Sequence, residues 1–202
     1  MSKPWQPFYI LWEGSYVGGT EYVASYTDLM NAFGAVGERD AGIYGWGIHG
    51  AGIEHYFQHG QYEGRVITFD GLEYIASYED LISALGANEL AGATHYIRAG
   101  RFEGRTTNFD GLEYMASYGD LIDAFGSEVA AYPDWPPDWG SYLGAKHFIE
   151  NGHSEGRTVS FDPAQYLANY ADLRAAFGAD TWSATQHYII AGYAEGRTDD
   201  AI

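Results

Sequence analysis

The sequence predicts a mainly α-helical protein of four helix-loop-helix tandem repeats, arranged as two pseudo-twofold pairs with short extended links. Three observations predict this fold. A block reading Tyr-x-Ala-(Ser/Asn)-Tyr-x-Asp-Leu occurs four times, a second block ending in Glu-Gly-Arg follows each copy, and glycines stand where helices are expected to end. Self-similarity at regular spacing is typical of repeat proteins.

The spacing of the repeats alternates between two values. The first tyrosines of the blocks are Tyr22, Tyr74, Tyr114 and Tyr166, which gives steps of 52 (74 − 22), 40 (114 − 74) and 52 (166 − 114). The first and third repeats therefore carry an insert of 12 residues (52 − 40) between their two predicted helices. The alternation indicates a duplicated pair in which the two inserts occupy equivalent places.

We expect a single domain over residues 1–202, because a chain of this length can bury a substantial core. Its predicted parts are a capping segment and four repeats, with the bounds 1–16, 17–68, 69–108, 109–160 and 161–202. Within the first part, Phe8–Trp12 is strand-like or packs across the first repeat. Terminal repeats of such arrays need a cap of this kind.

Most repeats open with a clear helix-start signal. Residues 70–73 and 110–113 read Asp-Gly-Leu-Glu, which is a capping box with Asp at the N-cap. Asp162 is followed by a proline at the first helical position, where no amide is missed. The first repeat has only Gly-Gly-Thr-Glu at 18–21, which predicts a weaker cap.

Two helices are expected in each repeat. In the second repeat an apolar stripe at three- and four-residue spacing predicts one helix that ends near Leu85. A shorter helix follows, for example 91–99 or 181–191. The first helices are expected to end at glycines in the left-handed region, namely Gly34, Gly86, Gly126 and Gly178.

Three polar residue types recur at the same place in every repeat. They are the aspartates Asp28, Asp80, Asp120 and Asp172, the histidines His55, His95, His147 and His187, and the arginine of each Glu-Gly-Arg. A structural device needs four copies, whereas a catalytic triad does not. We therefore expect hydrogen bonds among these groups to hold each repeat together, because the planar arginine fork suits a carboxylate.

The two inserts contain the candidate ligand-binding residues. Tyr44 and Trp46 lie in the first insert, and Tyr132, Trp135 and Trp139 lie in the second. Glycine and proline predict that both inserts are loops, and loops on a rigid scaffold often carry function. Aromatic rings there could stack on a sugar or contact a partner. In the alternative interpretation, the two inserts pack on each other, since large aromatic side chains are usually buried.

One group of histidines departs from the repeat pattern. His55 and His59 are four residues apart on a predicted helix, and His49 precedes them. Such a pair can bind zinc or copper, but the spacing secures no third ligand. We therefore predict no metal site and no cofactor. No enzymatic activity is expected either, because no motif supports a hydrolase and scattered acidic residues alone are weak evidence for one. A metal- or porphyrin-binding protein that uses histidine and tyrosine is a minor alternative.

Composition narrows the possible partners. The formal net charge is −18, and Lys3 and Lys146 are the only lysines, so phosphate-mediated binding to nucleic acid is not expected. Cysteine is absent, which excludes a disulfide framework. No apolar run is long enough to span a membrane, and no N-terminal signal peptide is visible. Self-association into a homo-oligomer is left open.

The string Tyr-x-Ala-(Ser/Asn)-Tyr-x-Asp-Leu-x-x-Ala-Phe-Gly, followed by His-Tyr-Ile-x-x-Gly-x-x-Glu-Gly-Arg, is carried most fully by residues 166–197. It resembles a short tandem module of large bacterial secreted proteins, often found beside hemolysin-type calcium-binding repeats. The resemblance covers about 17–200 and implies an extracellular or cell-surface accessory role.

The leading expectation is a non-enzymatic binding or adhesion module that recognises a glycan or a protein surface through its aromatic insert loops. The alternative is a structural spacer or assembly protein, which the acidic surface would keep soluble.

Overall fold

A computed structural model of the chain describes residues 9–12, 15–37, 47–132 and 139–202. These residues are mainly helical, which confirms the predicted mainly α class. The chain divides into two compact units, Met1–Asn108 and Phe109–Ile202. The division falls between the predicted second and third repeats, and the prediction of one domain over the whole chain stays a prediction.

Unit 1 begins with an antiparallel hairpin and continues with helices. Strands β1 (Tyr9–Trp12) and β2 (Ser15–Gly18) pair with Tyr9 opposite Gly18, in keeping with the strand-like interpretation of this run. The helices are α1 (Gly19–Ala24), α2 (Thr27–Phe33), α3 (Gly47–His55), α4 (Gly71–Ala76), α5 (Glu79–Leu85) and α6 (Glu89–His95). A π-helical turn extends α3 over Tyr56–Gly60, and another extends α6 over Tyr96–Gly100.

Unit 2 repeats this plan without the hairpin. Its helices are α7 (Gly111–Ala116), α8 (Gly119–Ala131), α9 (Trp139–His147), α10 (Pro163–Asn169), α11 (Ala171–Phe177) and α12 (Thr181–His187). The π-helical turns Phe148–Gly152 and Tyr188–Gly192 extend α9 and α12. Each unit has a core of its own, in which Tyr22 and Tyr114 are fully buried.

Helix starts follow the predicted caps. The carboxylate of Asp70 accepts the amide of Glu73 at 2.8 Å, and Asp110 and Asp162 accept the amides three residues ahead in the same way. At the start of α1, Gly18 offers no side-chain cap, as the weaker signal predicted.

The long first helix expected in the second repeat is wrong, because the chain breaks it at Ser77–Tyr78. Tyr78 adopts an extended conformation with φ −141° and ψ 119°. The Ser77 hydroxyl donates to the carbonyl of Glu73 at 2.8 Å and accepts the amide of Asn108 at 2.9 Å. Serine thus ends α4 and anchors the extended link that leaves the repeat.

The predicted glycine helix ends are half right. Gly86 and Gly178 have positive φ of 56° and 63° and end α5 and α11. Gly34 ends α2 with φ −60°, so it does not enter the left-handed region. Gly126 lies inside α8, which continues to Ala131.

Glycines also let the helices of a repeat approach closely. A Cβ on Gly111 of α7 would lie 2.1 Å from the carbonyl oxygen of Ser141 in α9, and a Cβ on Gly144 would lie 1.9 Å from the carbonyl oxygen of Gly111. No side chain fits at these crossings, so the two backbones are in direct contact. Gly19 and Gly52 play the same part between α1 and α3.

Candidate functional site

Each Glu-Gly-Arg arginine bridges two carboxylates of its own repeat. In the second repeat, Nη1 and Nη2 of Arg105 donate to the two oxygens of Asp80 at 2.9 and 2.8 Å, and Nε donates to Glu103 at 2.6 Å. These hydrogen bonds from Arg105 lower the pKa of Asp80. Asp28 and Asp120 are paired with Arg65 and Arg157 in the same way, and Asp172 is paired with Nη2 of Arg197 at 2.9 Å.

The guanidinium also covers a tyrosine ring that holds the extended link. Arg105 Cζ lies 4.7 Å from the ring centroid of Tyr78, which is within cation–π distance. The hydroxyl of Tyr78 donates to the carbonyl of Thr106 and accepts its amide, both at 2.8 Å. Arginine, aspartate and tyrosine therefore act together to tie the end of a repeat to its first helices.

The recurrent histidines have a different partner from the one expected. The hydroxyl of Tyr74 lies 2.9 Å from Nδ1 of His95, and burial raises the pKa of Tyr74 to about 12. The tyrosine therefore keeps its proton, and its hydroxyl shares one hydrogen bond with Nδ1, in which the tautomer of the histidine sets the direction. The predicted network of aspartate, histidine and arginine is thus corrected, since histidine bonds to tyrosine of the first helix. The other pairs are Tyr22–His55, Tyr114–His147 and Tyr166–His187.

The insert residues are only partly described by the structure. Tyr44, Trp46 and Trp135 lie outside the described residues. Tyr132 follows the end of α8 and is half-buried. Its ring centroid lies 6.5 Å from that of Trp139.

Trp139 does not lie in a loop, which corrects that part of the prediction. It is the first residue of α9 and is 7% exposed, with its ring stacked on Tyr142 at 5.0 Å. The first insert behaves similarly, because α3 already begins at Gly47. The glycine and proline residues of the inserts predicted loops at both of these helix starts. Since the Trp139 ring is buried, its face is not offered to a sugar in this structure.

The three histidines considered as metal ligands have different surroundings. His49 is buried in α3, and burial lowers its pKa to about 4. His55 bonds to Tyr22, and the ring of His59 lies 5.3 Å from that of His55. Within the described ranges, no three His, Asp or Glu side chains are grouped so that they could hold a metal ion.

Two exposed aromatic side chains were not predicted as functional residues from the sequence. Tyr62 is 81% exposed and Phe102 is 72% exposed, and each directly precedes the glutamate of a Glu-Gly-Arg block. The guanidinium of Arg101 lies 4.3 Å from the Phe102 ring centroid. The same position holds Ser154 and Ala194 in unit 2. Comparing the four repeats column by column would have revealed this difference between the units.

Comparisons with known proteins gave no match among protein-family models, curated proteins or solved structures. Among the described helices, none is both long and apolar enough to cross a membrane. The resemblance to a secreted tandem module therefore stays a prediction, and the geometry of the chain itself bears on its function.

Proposed function

We propose that the protein is a non-enzymatic binding module that recognises a glycan, with a protein surface as the other partner class considered. The observation that carries the proposal is the pair Tyr62 and Phe102, which occupy equivalent turns of successive repeats and leave most of their ring surface in solvent. The recurrent Arg, Asp, His and Tyr side chains bond to one another within each repeat. This structural role supports the non-enzymatic part of the proposal. A role outside the cell belongs to the same proposal.

The surroundings of these rings suit a sugar. An aromatic face can pack against the C–H face of a pyranose while polar neighbours bond to its hydroxyls. Glu63 and Glu103 follow the two rings, and their side chains are 47% and 45% exposed. One oxygen of each carboxylate is held by arginine Nε, which fixes the acceptor before any ligand binds. Such preorganisation lowers the entropic cost of binding.

The insert residues Tyr44, Trp46, Tyr132 and Trp135 stay part of the proposal as a second contact region. Trp139 does not, since it is buried. Two contact regions on one chain would give avidity toward an extended glycan if both could bind it at once.

A glycan array with the full-length chain tests the proposal. Wild-type protein is expected to bind a defined set of glycans, and the double variant Tyr62→Ser/Phe102→Ser is expected to lose that binding. Serine is the residue that the third repeat holds at this position, so the fold is expected to accept it. Trp182→Ser is the matched control, because this 44% exposed ring lies in unit 2.

Each outcome of the array is informative. Unchanged glycan binding by the double variant would contradict the assignment of Tyr62 and Phe102, and a loss with Trp46→Ala/Trp135→Ala instead would move the site to the inserts. An array without binding would contradict the glycan proposal and favour a spacer or assembly role. The four equivalent arginine bridges are the observation that favours this second candidate.

A further inference from the structure

A small cavity in unit 1 lies among the first residues of several helices. Its lining residues are Gly18, Thr20, Glu21, His49, Glu89 and Leu90. The volume available to the centre of a water-sized molecule is ≈ 10 Å³, which is about what one such molecule needs. The cavity is partly open to solvent, so an occupant can enter without unfolding of the chain.

The cavity gathers most of the buried polar side chains in the described part of the chain. Thr20, Glu21, His49 and Glu89 are 2%, 3%, 7% and 6% exposed, and all four line it. The Thr20 hydroxyl is buried and makes no hydrogen bond to any described residue. A buried hydroxyl without a partner is costly, so a ligand that bonds to Thr20 Oγ1 would relieve this cost.

The walls of the cavity are firmly positioned. Glu21 Oε1 accepts the amide of Gly71 at 2.8 Å, which ties α1 to the start of α4. A Cβ on Gly19 would lie 2.0 Å from the carbonyl oxygen of His49, and a Cβ on Gly71 would lie 2.3 Å from that of Glu89. Because these backbones are in direct contact, the lining side chains are held in place by close packing.

One polar residue of the cavity, Thr20, departs from the pattern of the repeat. Thr20 corresponds to Leu72 in the second repeat and to Leu112 in the third, and both leucines are 1% exposed. His49 and Glu89 stand at one and the same repeat position, three residues before Gly52 and Gly92. The fold therefore accepts leucine where Thr20 stands. The other positions are polar in unit 2 as well, where Glu113 corresponds to Glu21 and where Ser141 and Thr181 correspond to His49 and Glu89, so the Thr20 hydroxyl is what sets this cavity apart.

The chemistry of the lining selects a small cation that donates hydrogen bonds. Two carboxyl groups and a hydroxyl supply acceptor oxygens, and a bound cation favours the ionised form of a carboxyl group, whereas an anion disfavours it. Burial keeps His49 neutral near pH 7, since its pKa is about 4, so it adds an acceptor nitrogen without a positive charge. A primary ammonium group has the size of a water molecule, whereas a guanidinium group is too large for the space.

We propose that the Thr20–Glu21–His49–Glu89 cavity binds a primary ammonium group. The group belongs either to a free ammonium ion or small amine, or to a lysine side chain or N-terminus of another protein. Both sources present the same N–H donors, and the experiment separates them. The inference does not depend on the proposed glycan binding.

Titration of the full-length chain by two-dimensional amide NMR tests the proposal, with ammonium chloride, methylammonium chloride and a lysine-containing peptide as probes. The amide of Gly71 is the reporter because it donates to Glu21. Saturable shifts are expected with ammonium and methylammonium. The peptide is expected to bind more tightly if the biological source is a protein, and more weakly if it is a small amine. Equal responses to potassium or tetramethylammonium chloride would overturn the assignment.

Two variants locate the site. Thr20→Val keeps the shape and removes the hydroxyl, and Glu89→Gln removes one charge. Each is expected to weaken ammonium binding by about tenfold, the effect of one lost hydrogen bond to a charged group. Thr181→Val, at the position of the fourth repeat that corresponds to Glu89, is the control and should bind as wild type. Unchanged affinity in both cavity variants would refute the proposal. Should Glu89→Gln fail to fold, Thr20→Val alone decides.

Discussion

The tyrosine hydroxyl that bonds to each recurrent histidine also lies against a glycine. A Cβ on Gly60, Gly152 or Gly192 would lie 2.1 Å from that oxygen, and on Gly100 it would lie 2.0 Å away. Glycine at these four places is therefore required by a side chain and not by an unusual backbone. Tyrosine, histidine and glycine form one packed group that occurs once in each repeat.

The variant Gly100→Ala tests this group. The new methyl would overlap the hydroxyl of Tyr74, and overpacking of this kind costs roughly 1–3 kcal/mol. Chemical denaturation is expected to show that loss in the free energy of unfolding. Tyr74→Phe removes the overlapping atom, so the double variant should lose less than the sum of the two single variants. Additive losses would mean that alanine at residue 100 acts through something other than this contact.

Some contacts between single residues could be predicted from the sequence, and others could not. The pairing of Asp80 with Arg105 was predicted, because charge and fourfold recurrence both suggested it. The pairing of His95 with Tyr74 was missed, because Tyr74 fits the apolar stripe of its helix and its hydroxyl leaves no periodic signal. The cavity around Thr20 was missed for a related reason, since its lining comes from separate helices.

At the scale of the element, short helices are defined by their caps. Apart from the π-helical turns that extend α6 and α12, no described helix of the second or fourth repeat exceeds seven residues, so intrinsic propensity contributes little to its stability. Asp70, Asp110 and Asp162 were recognisable from sequence because a capping box depends only on residue type at a local spacing. The break at Ser77–Tyr78 was not recognisable, since the 3.6-residue periodicity continues across it while the serine bonds to a distant link.

The cap at Asp162 can be removed and restored by substitution. Asp162→Ala deletes the acceptor for the amide of Gln165, which lies at 2.9 Å, and loss of an N-cap costs about 0.5–2 kcal/mol. Asp162→Asn keeps a side-chain oxygen and should stay close to wild type. Thermal unfolding followed by circular dichroism distinguishes them. Equal melting temperatures for the alanine and asparagine variants would show that α10 does not depend on this cap.

At the scale of the whole molecule, the mainly α class could be predicted from the repeats, whereas the secondary structure of the inserts could not be predicted from their composition. Glycine and proline suggested loops as far as residue 142, yet α9 begins at Trp139. The ring of Trp139 is buried there and stacks on Tyr142, three residues further along the same helix. Local composition carries no information about such burial, so the prediction of a loop with a candidate binding residue covered Trp139 together with Trp46 and Trp135, and burial of the inserts stayed the alternative.

The titration of buried histidines predicts how the stability of the molecule depends on pH. Burial lowers the pKa of His49 to about 4 and lowers those of His55 and His147. In the unfolded chain these groups take up protons near the ordinary value of about 6.5. The stabilising effect of neutral histidine is therefore complete above pH 6.5, and it is lost as the pH falls toward the folded values.

For His49 alone, the loss in unfolding free energy is about 1.4 kcal/mol for each pH unit below 6.5. The net charge of −18 acts in the opposite direction, because protonation of carboxylates reduces self-repulsion. Working at about 0.5 M salt screens that repulsion and leaves the histidine effect. We expect the melting temperature to fall between about pH 7 and pH 5, and to fall less steeply in His55→Gln/His147→Gln. A melting temperature that rises as the pH falls over this range at high salt would contradict the prediction, because buried neutral histidines should lower the stability as the pH falls.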